Sequence, residues 1–229
     1  MNSNTRIPHN KYKISLENEK TMSCLQNIES AIDALPEFEI GTLSSENTAI
    51  IYVDIINGFV SEGNLSSDRA FEILEPVKAL DRQTLGFHKV FFIDSHPEDA
   101  VEFKTYPSHC VKGTSESELA TDFDISGLNS VTFEKNSVNG FLAPGFMEWL
   151  HRMANIKRFV VVGLVTDICV MNFALTLRAY LNQWNIDSDV IIPMSCVETF
   201  ELDITNHHAP LMNLFALYNM QMNGIKLFK

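Results

Sequence analysis

Short runs of apolar residues alternate with longer stretches of helical period along most of this chain. Six of the runs are rich in β-branched and aromatic residues, which is typical of strands. These runs lie at 48–56, 89–94, 130–135, 158–165, 189–193 and 225–228. Apolar residues recur at helical spacing in the stretches 67–87, 143–156, 167–184 and 209–224. Pro76 is a candidate kink in the first of these predicted helices.

The β-α-β-α order of these elements predicts the fold class. Near-continuous apolar strands separated by helices indicate a parallel sheet that is covered on both faces and connected by right-handed crossovers. We therefore predict a doubly wound, three-layer α/β/α domain over residues 47–229. Residues 1–46 are less regular and are predicted to form an N-terminal extension, with one amphipathic helix around 17–35.

Composition narrows the class of protein. The 229 residues are 45% hydrophobic and 20% charged, as in ordinary globular proteins. A formal net charge of −12 and the lack of a Lys/Arg stripe argue against a nucleic-acid partner and favour a small-molecule role. The sequence shows neither an apolar run of the ~20 residues a membrane helix requires nor an apolar secretion signal in "MNSNTRIPHNKYK". We expect a cytoplasmic protein that does not bind membranes.

Polar residues that follow the predicted strands are the first candidates for chemistry, because ligands bind beyond the carboxyl ends of parallel strands. The first run contains Asp54, the second ends in Asp94 with His96 two residues later, and the third ends in Lys135. The fourth opens into the stretch 166–169, "TDIC". Each residue alone has an ordinary explanation as a turn, solvated or buried residue. Their occurrence at four strand ends together favours a functional site.

The cysteine in that stretch is a candidate nucleophile. Four cysteines without CxxC spacing are expected to be free thiols in a reducing compartment; they are Cys24, Cys110, Cys169 and Cys196. With Thr166 as the predicted N-cap, Cys169 lies in the first helical turn, where free N–H groups and the helix dipole favour a thiolate. A lysine would stabilise that anion and a carboxylate could accept the thiol proton. Asp54, Lys135 and Cys169 therefore form a plausible activated-thiol triad.

A second constellation lies in "DSHPEDAVEFKTYPSHC". Asp94 and His96 alternate along an extended segment, Glu102 follows, and His109 comes later, so that their oxygens and nitrogens could bind one cation. The alternative is that the histidines are turn or surface residues. Cys110 follows His109 directly, and adjacent side chains of an extended segment point to opposite sides, so Cys110 is expected to be structural.

These segments resemble the isochorismatase-like cysteine hydrolases, and among them the nicotinamidase branch, from about Thr48 to the carboxyl terminus. The stretch "GLVTDICV" resembles the nucleophile segment G-x-x-T-D-x-C-V, and "VDIINGF" resembles the first-strand motif V-D-x-Q-x-D-F. The metal segment is matched by "DSH" with "YPSHCVKGT", and the lysine segment by "KNSVNGF". The resemblance implies a six-stranded parallel sheet of order 3-2-1-4-5-6, which brings Asp54 beside Cys169.

The resemblance also implies catalytic roles. Cys169 is the implied nucleophile, Asp54 the proton acceptor and donor, and Lys135 the residue that pairs with both. The N–H groups of Val165 and Cys169 are the implied oxyanion hole, with a cis peptide bond before Val165.

Metal and substrate contacts are implied in the same way. The implied ligands of one divalent ion are Asp94, His96, Glu102 and His109, with zinc expected first and iron or manganese as alternatives. Two aromatic residues match the ring-stacking positions of the family, although wall or core positions are the ordinary alternative; they are Phe59 and Tyr106.

The chain departs from the family pattern at five positions. Ile56 stands where Gln is common, Gly58 where Asp is common, and Tyr106 where Trp is frequent. Asn139 and Gly140 replace a common Ser-Ala pair. These departures leave the triad untouched but are expected to reshape the substrate pocket.

The function implied is hydrolysis of nicotinamide to nicotinate and ammonia through a thioester, in NAD salvage, by a homo-oligomer such as the family commonly forms. The alternative within enzymes is a metal-dependent or metal-independent amidase for another small amide or carbamoyl compound. A catalytically silent binding protein is a rival that the intact triad argues against. A vinyl-ether hydrolase is disfavoured because such family members need no metal triad and commonly lack the cysteine.

Overall fold

The described part of the chain divides into two units. The computed structural model describes residues 18–121, 123, 125, 127–202 and 205–229. The first unit ends at Ala34 and contains α1 (Glu19–Asp33), whose N-cap Asn18 accepts a hydrogen bond from the Lys20 N–H. This confirms the helix expected around 17–35, whereas the stretch "MNSNTRIPHNKYK" lies outside the described residues. The second unit runs from Leu35 to Lys229, and the domain boundary at residue 46 stays a prediction.

The second unit is built on a parallel sheet. Its strands within the described residues are β1 Thr48–Val53, β2 His88–Asp94, β3 Ser130–Lys135, β4 Arg158–Leu164, β5 Asp189–Pro193, β6 Val197–Glu198 and β7 Lys226–Phe228. The order is β3-β2-β1-β4-β5-β7, with parallel neighbours throughout, and the short β6 pairs with β4 off this path. Strand β7 corresponds to the sixth strand predicted from the sequence, because the short β6 was not among the six predicted strands. The predicted α/β fold and its 3-2-1-4-5-6 order are therefore confirmed.

The helices connect these strands. They are α2 Asn57–Val60, α3 Asp68–Glu72, α4 Leu74–Gln83, α5 Phe146–Arg152, α6 Met171–Gln183 and α7 Ala209–Met222. The helix predicted over 67–87, with a candidate kink at Pro76, is divided at Ile73 into α3 and α4. Pro76 has no N–H to donate to the Glu72 carbonyl four residues earlier, which explains the break. None of the helices that the structure describes is long and apolar enough to cross a membrane.

Aromatic side chains of β2 show how both faces of the sheet are covered. Successive residues of a strand face opposite sides. Phe91 stacks on Tyr52 at 4.4 Å between ring centroids, in the same cluster as Val77 of α4. Phe92 contacts Phe146 of α5 at 5.2 Å and Phe173 of α6 at 5.0 Å. Helices therefore pack on both faces, as predicted.

Strands β1 and β4 approach each other closely at one glycine. Gly163 lies opposite Val53 in the parallel register and has a φ of +122°. A Cβ atom at Gly163 would lie 2.0 Å from the Val53 carbonyl oxygen. The close approach therefore requires glycine, and it occurs where β1 leads into Asp54 and β4 leads towards Cys169.

Candidate active site

Charged side chains meet at the carboxyl ends of β1, β2 and β3. The register of β2 and β3 pairs Asp94 with Lys135. Asp54 follows β1 directly in a left-handed conformation, with φ 49°, and its N–H donates to the Phe92 carbonyl. The Asp54 Oδ1 atom accepts a hydrogen bond from the Asp94 N–H at 3.0 Å. The backbone thus holds two carboxylates and an amine together in the protein interior.

Lys135 lies between these two carboxylates. Its Nζ atom is 2.8 Å from Asp54 Oδ2, 2.5 Å from Asp94 Oδ1 and 3.9 Å from Cys169 Sγ. Its side chain is only 1% exposed, and a buried ammonium is costly unless it is paired. Burial acts to lower the pKa of Lys135, but Asp54 and Asp94 outweigh it and raise this pKa well above its ordinary value. Lys135 is therefore a fixed positive charge beside the thiol.

Cys169 lies in a π-helical turn, Thr166–Val170, between β4 and α6. The peptide bond between Leu164 and Val165 is cis, in agreement with the family pattern. The prediction that Thr166 is the N-cap is wrong. Val165 occupies that position in an extended conformation and its carbonyl accepts the Ile168 and Val170 N–H groups. Thr166 is already in the turn, and its buried Oγ1 has no hydrogen-bond partner among the described residues.

The protonation states complement one another. Burial raises the pKa of the Cys169 thiol well above its ordinary value; Lys135 opposes this, while Asp54 and Asp94 add to it. Burial also raises the pKa of Asp54 to about 7, against the opposing charge of Lys135. For Asp94, the ammonium of Lys135 and the nearby histidines outweigh burial and lower the pKa. The resting thiol is therefore protonated, and Asp54, whose carboxylate approaches within 4.8 Å of Sγ, can accept its proton.

Replacement of Lys135 by Met is expected to raise the pH at which Cys169 reacts with iodoacetamide by about one unit or more, because a neighbouring cation that favours the thiolate is lost. Alkylation should be followed by mass spectrometry of the peptide that contains Cys169, which separates its labelling from that of the exposed Cys24. Circular dichroism should first establish that the variant is folded. An unchanged alkylation profile in a folded variant contradicts the electrostatic role.

Asp94, His96 and His109 form a buried group whose ligand atoms lie within 4.8 Å of one another. The Nε2 atoms of His96 and His109 are 3.4 Å and 3.8 Å from the Asp94 carboxylate oxygens. Each Nδ1 faces an acceptor, Asn136 Oδ1 at 2.7 Å and the Pro107 carbonyl at 2.8 Å. An N–H at Nδ1 leaves the Nε2 lone pair available, and the buried His96 Nε2 has no hydrogen-bond partner among the described residues. This donor set fits a divalent cation.

A small pocket opens onto both groups. Cys169, Asp94 and His109 form part of its wall. Glu102 lines it from the 3₁₀ turn Val101–Lys104, but lies outside the close donor group among the described residues, so its role as a ligand stays a prediction.

The aromatic residues singled out in the sequence also line this pocket. The rings of Phe59 and Tyr106 lie 5.9 Å and 6.2 Å from the ring of His109. Four apolar wall residues were missed by the sequence reasoning, namely Leu65, Val138, Ile168 and Phe200. They come from four separate segments, and no local pattern distinguishes them from core residues.

Most departures from the family pattern have packing explanations. Tyr106 lines the pocket, whereas the other four positions are not among its described lining residues. Ile56 is fully buried and forms a bridge with Leu119. A Cβ atom at Gly140 would lie 2.8 Å from the Phe92 ring. Ile56 and Gly140 are therefore not described wall residues of the pocket, and their expected effect on its shape stays a prediction.

Comparisons with known proteins identify the family of this chain. The isochorismatase domain family is matched by residues 48–223. A curated relative, nicotinamidase 1 of Arabidopsis thaliana, is 30% identical over 209 residues, which cover 79% of this chain and 85% of the relative.

Solved structures share the fold. The pyrazinamidase of Pyrococcus horikoshii, solved in complex with zinc, has a TM-score of 0.65 and 24% identity, covering 80% of this chain and 99% of that one. The N-carbamoylsarcosine amidase of Thermoplasma acidophilum has a TM-score of 0.61 and 23% identity, covering 80% of this chain and 96% of that one. At these identities the structures establish the likeness of the fold.

Proposed function

This chain belongs to the isochorismatase family, and from that membership we propose that it hydrolyses nicotinamide to nicotinate and ammonia. The proposal rests on one observation: Lys135 lies beside both Asp54 and Cys169, and Cys169 lines a pocket whose wall also includes Asp94 and His109 of the buried donor group. The similarity to the plant nicotinamidase supports the choice of substrate. Nicotinate formed in this way re-enters NAD salvage.

Acylation begins with the protonated thiol. Asp54 accepts the Sγ proton as sulfur attacks the carboxamide carbon, and the carbonyl electrons move to oxygen. The N–H groups of Val165 and Cys169 stabilise that oxyanion, since N–H groups of a first helical turn lack intrahelical acceptors. Asp54 then returns the proton to the amide nitrogen, the C–N bond breaks, and ammonia leaves a thioester on Cys169.

In deacylation, Asp54 again accepts and returns a proton. Asp54 accepts a proton from a water molecule whose oxygen attacks the thioester carbon. The C–S bond breaks, Asp54 returns its proton to Sγ, and the acid leaves as nicotinate after losing the second water proton to solvent. Lys135 stays protonated throughout and pairs with Asp54 whenever that carboxylate is ionised.

The buried donor group has a separate role in the proposal. Asp94, His96 and His109 would hold a divalent cation, zinc in the first instance, and Glu102 is the proposed further ligand. When bound, the cation supplies a Lewis acid that can hold a pyridine nitrogen. The Phe59 and Tyr106 side chains would enclose the flat ring of the substrate.

Ammonia release from purified protein tests this function. Nicotinamide, pyrazinamide, a panel of aliphatic amides and N-carbamoylsarcosine should be compared, with the Cys169→Ala protein as the blank for contaminating activity. We expect nicotinamide to have the highest kcat/KM of the panel. Turnover of a carbamoyl compound without turnover of nicotinamide would favour the alternative amidase. This alternative is included because the pocket wall has Tyr106 where the family frequently has Trp.

A further inference from the structure

The loop of residues 115–119, here called the clamp loop, is fastened to the first-strand motif. The Asn57 N–H donates to the Glu118 carbonyl at 2.9 Å, and Asn57 Nδ2 donates to the Ser115 carbonyl at 3.0 Å. Ile56 adds an antiparallel bridge to Leu119. Both ends of the clamp loop are thereby held, with Glu116 between them.

Glu116 occupies space that two glycines leave open. A Cβ atom at Gly63 would lie 2.8 Å and 2.9 Å from its two carboxylate oxygens. A Cβ atom at Gly58 would lie 3.1 Å from the Glu116 Cβ and 2.5 Å from the Cys110 Sγ. Gly58, which departs from the family pattern, therefore makes room for Glu116 and Cys110 together.

The carboxylate acts on the backbone of Cys110. Glu116 Oε2 accepts the Cys110 N–H at 2.7 Å. Cys110 has a left-handed φ of 45°, which is unfavourable for a residue with a side chain. Its carbonyl accepts the His96 N–H at 3.0 Å and the Ser117 hydroxyl at 2.9 Å. The residue just before Cys110 is His109, so this turn connects the backbones of both histidines of the donor group.

We propose that Glu116 is a positioning residue for the metal site. Its carboxylate holds Cys110 in the left-handed conformation and thereby keeps the His109 imidazole facing Asp94. Glu116 acts through the backbone and is not itself a ligand. This inference rests on the proposed metal-binding function.

Zinc affinity of metal-free protein, measured by competition with a chromogenic chelator, tests the inference without any substrate. Glu116→Ala removes the acceptor and is expected to weaken zinc binding about tenfold or more, as is typical for partners that orient a ligand. Glu116→Gln keeps an oxygen that can accept a hydrogen bond from the Cys110 N–H, so this variant should bind zinc within about threefold of the parent. Glu118→Ala is the control, because the Glu118 side chain belongs to the same loop but is exposed. Its zinc affinity should also stay within about threefold of the parent. The visible spectrum of the cobalt-substituted protein should change in Glu116→Ala alone.

Hydrogen exchange in the metal-free proteins is the second measurement. The peptide that contains Cys110 should exchange faster in Glu116→Ala than in the parent or in Glu118→Ala. If Glu116→Ala does not fold, Glu116→Asp, which keeps the charge but draws it back from the Cys110 N–H, takes its place.

The outcomes separate the two proposals. Unchanged zinc affinity and an unchanged cobalt spectrum in Glu116→Ala overturn the positioning role, even if this variant is less stable. A Glu116→Gln protein that binds zinc as weakly as Glu116→Ala also overturns it. A parent protein that binds no zinc overturns the proposed metal function instead. In that case, unchanged exchange at Cys110 still overturns the contribution of Glu116 to this turn.

Discussion

Cys169→Ala is expected to lower kcat by about four orders of magnitude or more, on the scale of nucleophile removal in other hydrolases that form covalent intermediates. Cys169 is the one thiol among the described residues that line the pocket. Its sulfur lies 3.9 Å from Lys135 Nζ. The substitution therefore removes the atom that is proposed to attack the substrate. The fold should persist, because alanine is the most favourable residue in a helix. Ammonia release and thermal unfolding measure the two halves of the prediction.

Cys196→Ala is the matched control for this experiment. Cys196 is also a buried thiol, but it is not among the described residues that line the pocket. The same substitution there should leave most of the activity. Substantial turnover by a folded Cys169→Ala protein, or equal loss in both variants, contradicts the assignment of the nucleophile.

His96→Ala is expected to abolish metal retention and to raise KM more than it lowers kcat. The imidazole contributes the buried Nε2 atom that faces Asp94 at 3.4 Å. The thiol and the proposed oxyanion donors belong to the turn after β4, so loss of the cation should weaken substrate binding more than it slows the chemistry. The loss of zinc affinity should exceed the roughly 10–100-fold that follows removal of a partner to a ligand.

Glu102→Ala provides the comparison. Because Glu102 lies outside the close donor group among the described residues, its removal should weaken metal retention less than loss of His96 does. Elemental analysis and the Michaelis parameters of both variants measure the difference. Equal metal loss in both variants would make Glu102 a full ligand. A metal-free parent protein that hydrolyses nicotinamide at full rate would overturn the metal assignment altogether.

The sheet and the main site residues could be predicted from the sequence because both depend on simple patterns. Buried parallel strands give continuous apolar runs, and the polar residues at their carboxyl ends collect at one edge of the sheet. Asp54, Asp94 and Lys135 follow this rule, and their contacts in the structure agree with it. The two-residue strand β6 is too short to give such a pattern.

The environment of the site could not be predicted from local sequence. The stretch that contains Cys169 suggests a helix terminus that favours a thiolate, whereas burial beside two carboxylates from other strands raises the pKa of the thiol. The local sequence also did not predict the π-helical turn, whose N-cap is Val165 and not Thr166. Glu116 gave no signal either, since its role depends on Gly58 and Gly63 from a distant segment.

The close crossing of β1 and β4 at Gly163 limits how this enzyme can evolve. A side chain there would meet the Val53 carbonyl oxygen at 2.0 Å and force apart the strands that lead to Asp54 and Cys169. Val138 and Tyr106 line the candidate pocket and belong to neither strand. Substitutions in the pocket wall can therefore change the pocket alone, whereas a side chain at Gly163 would change the spacing between Asp54 and Cys169.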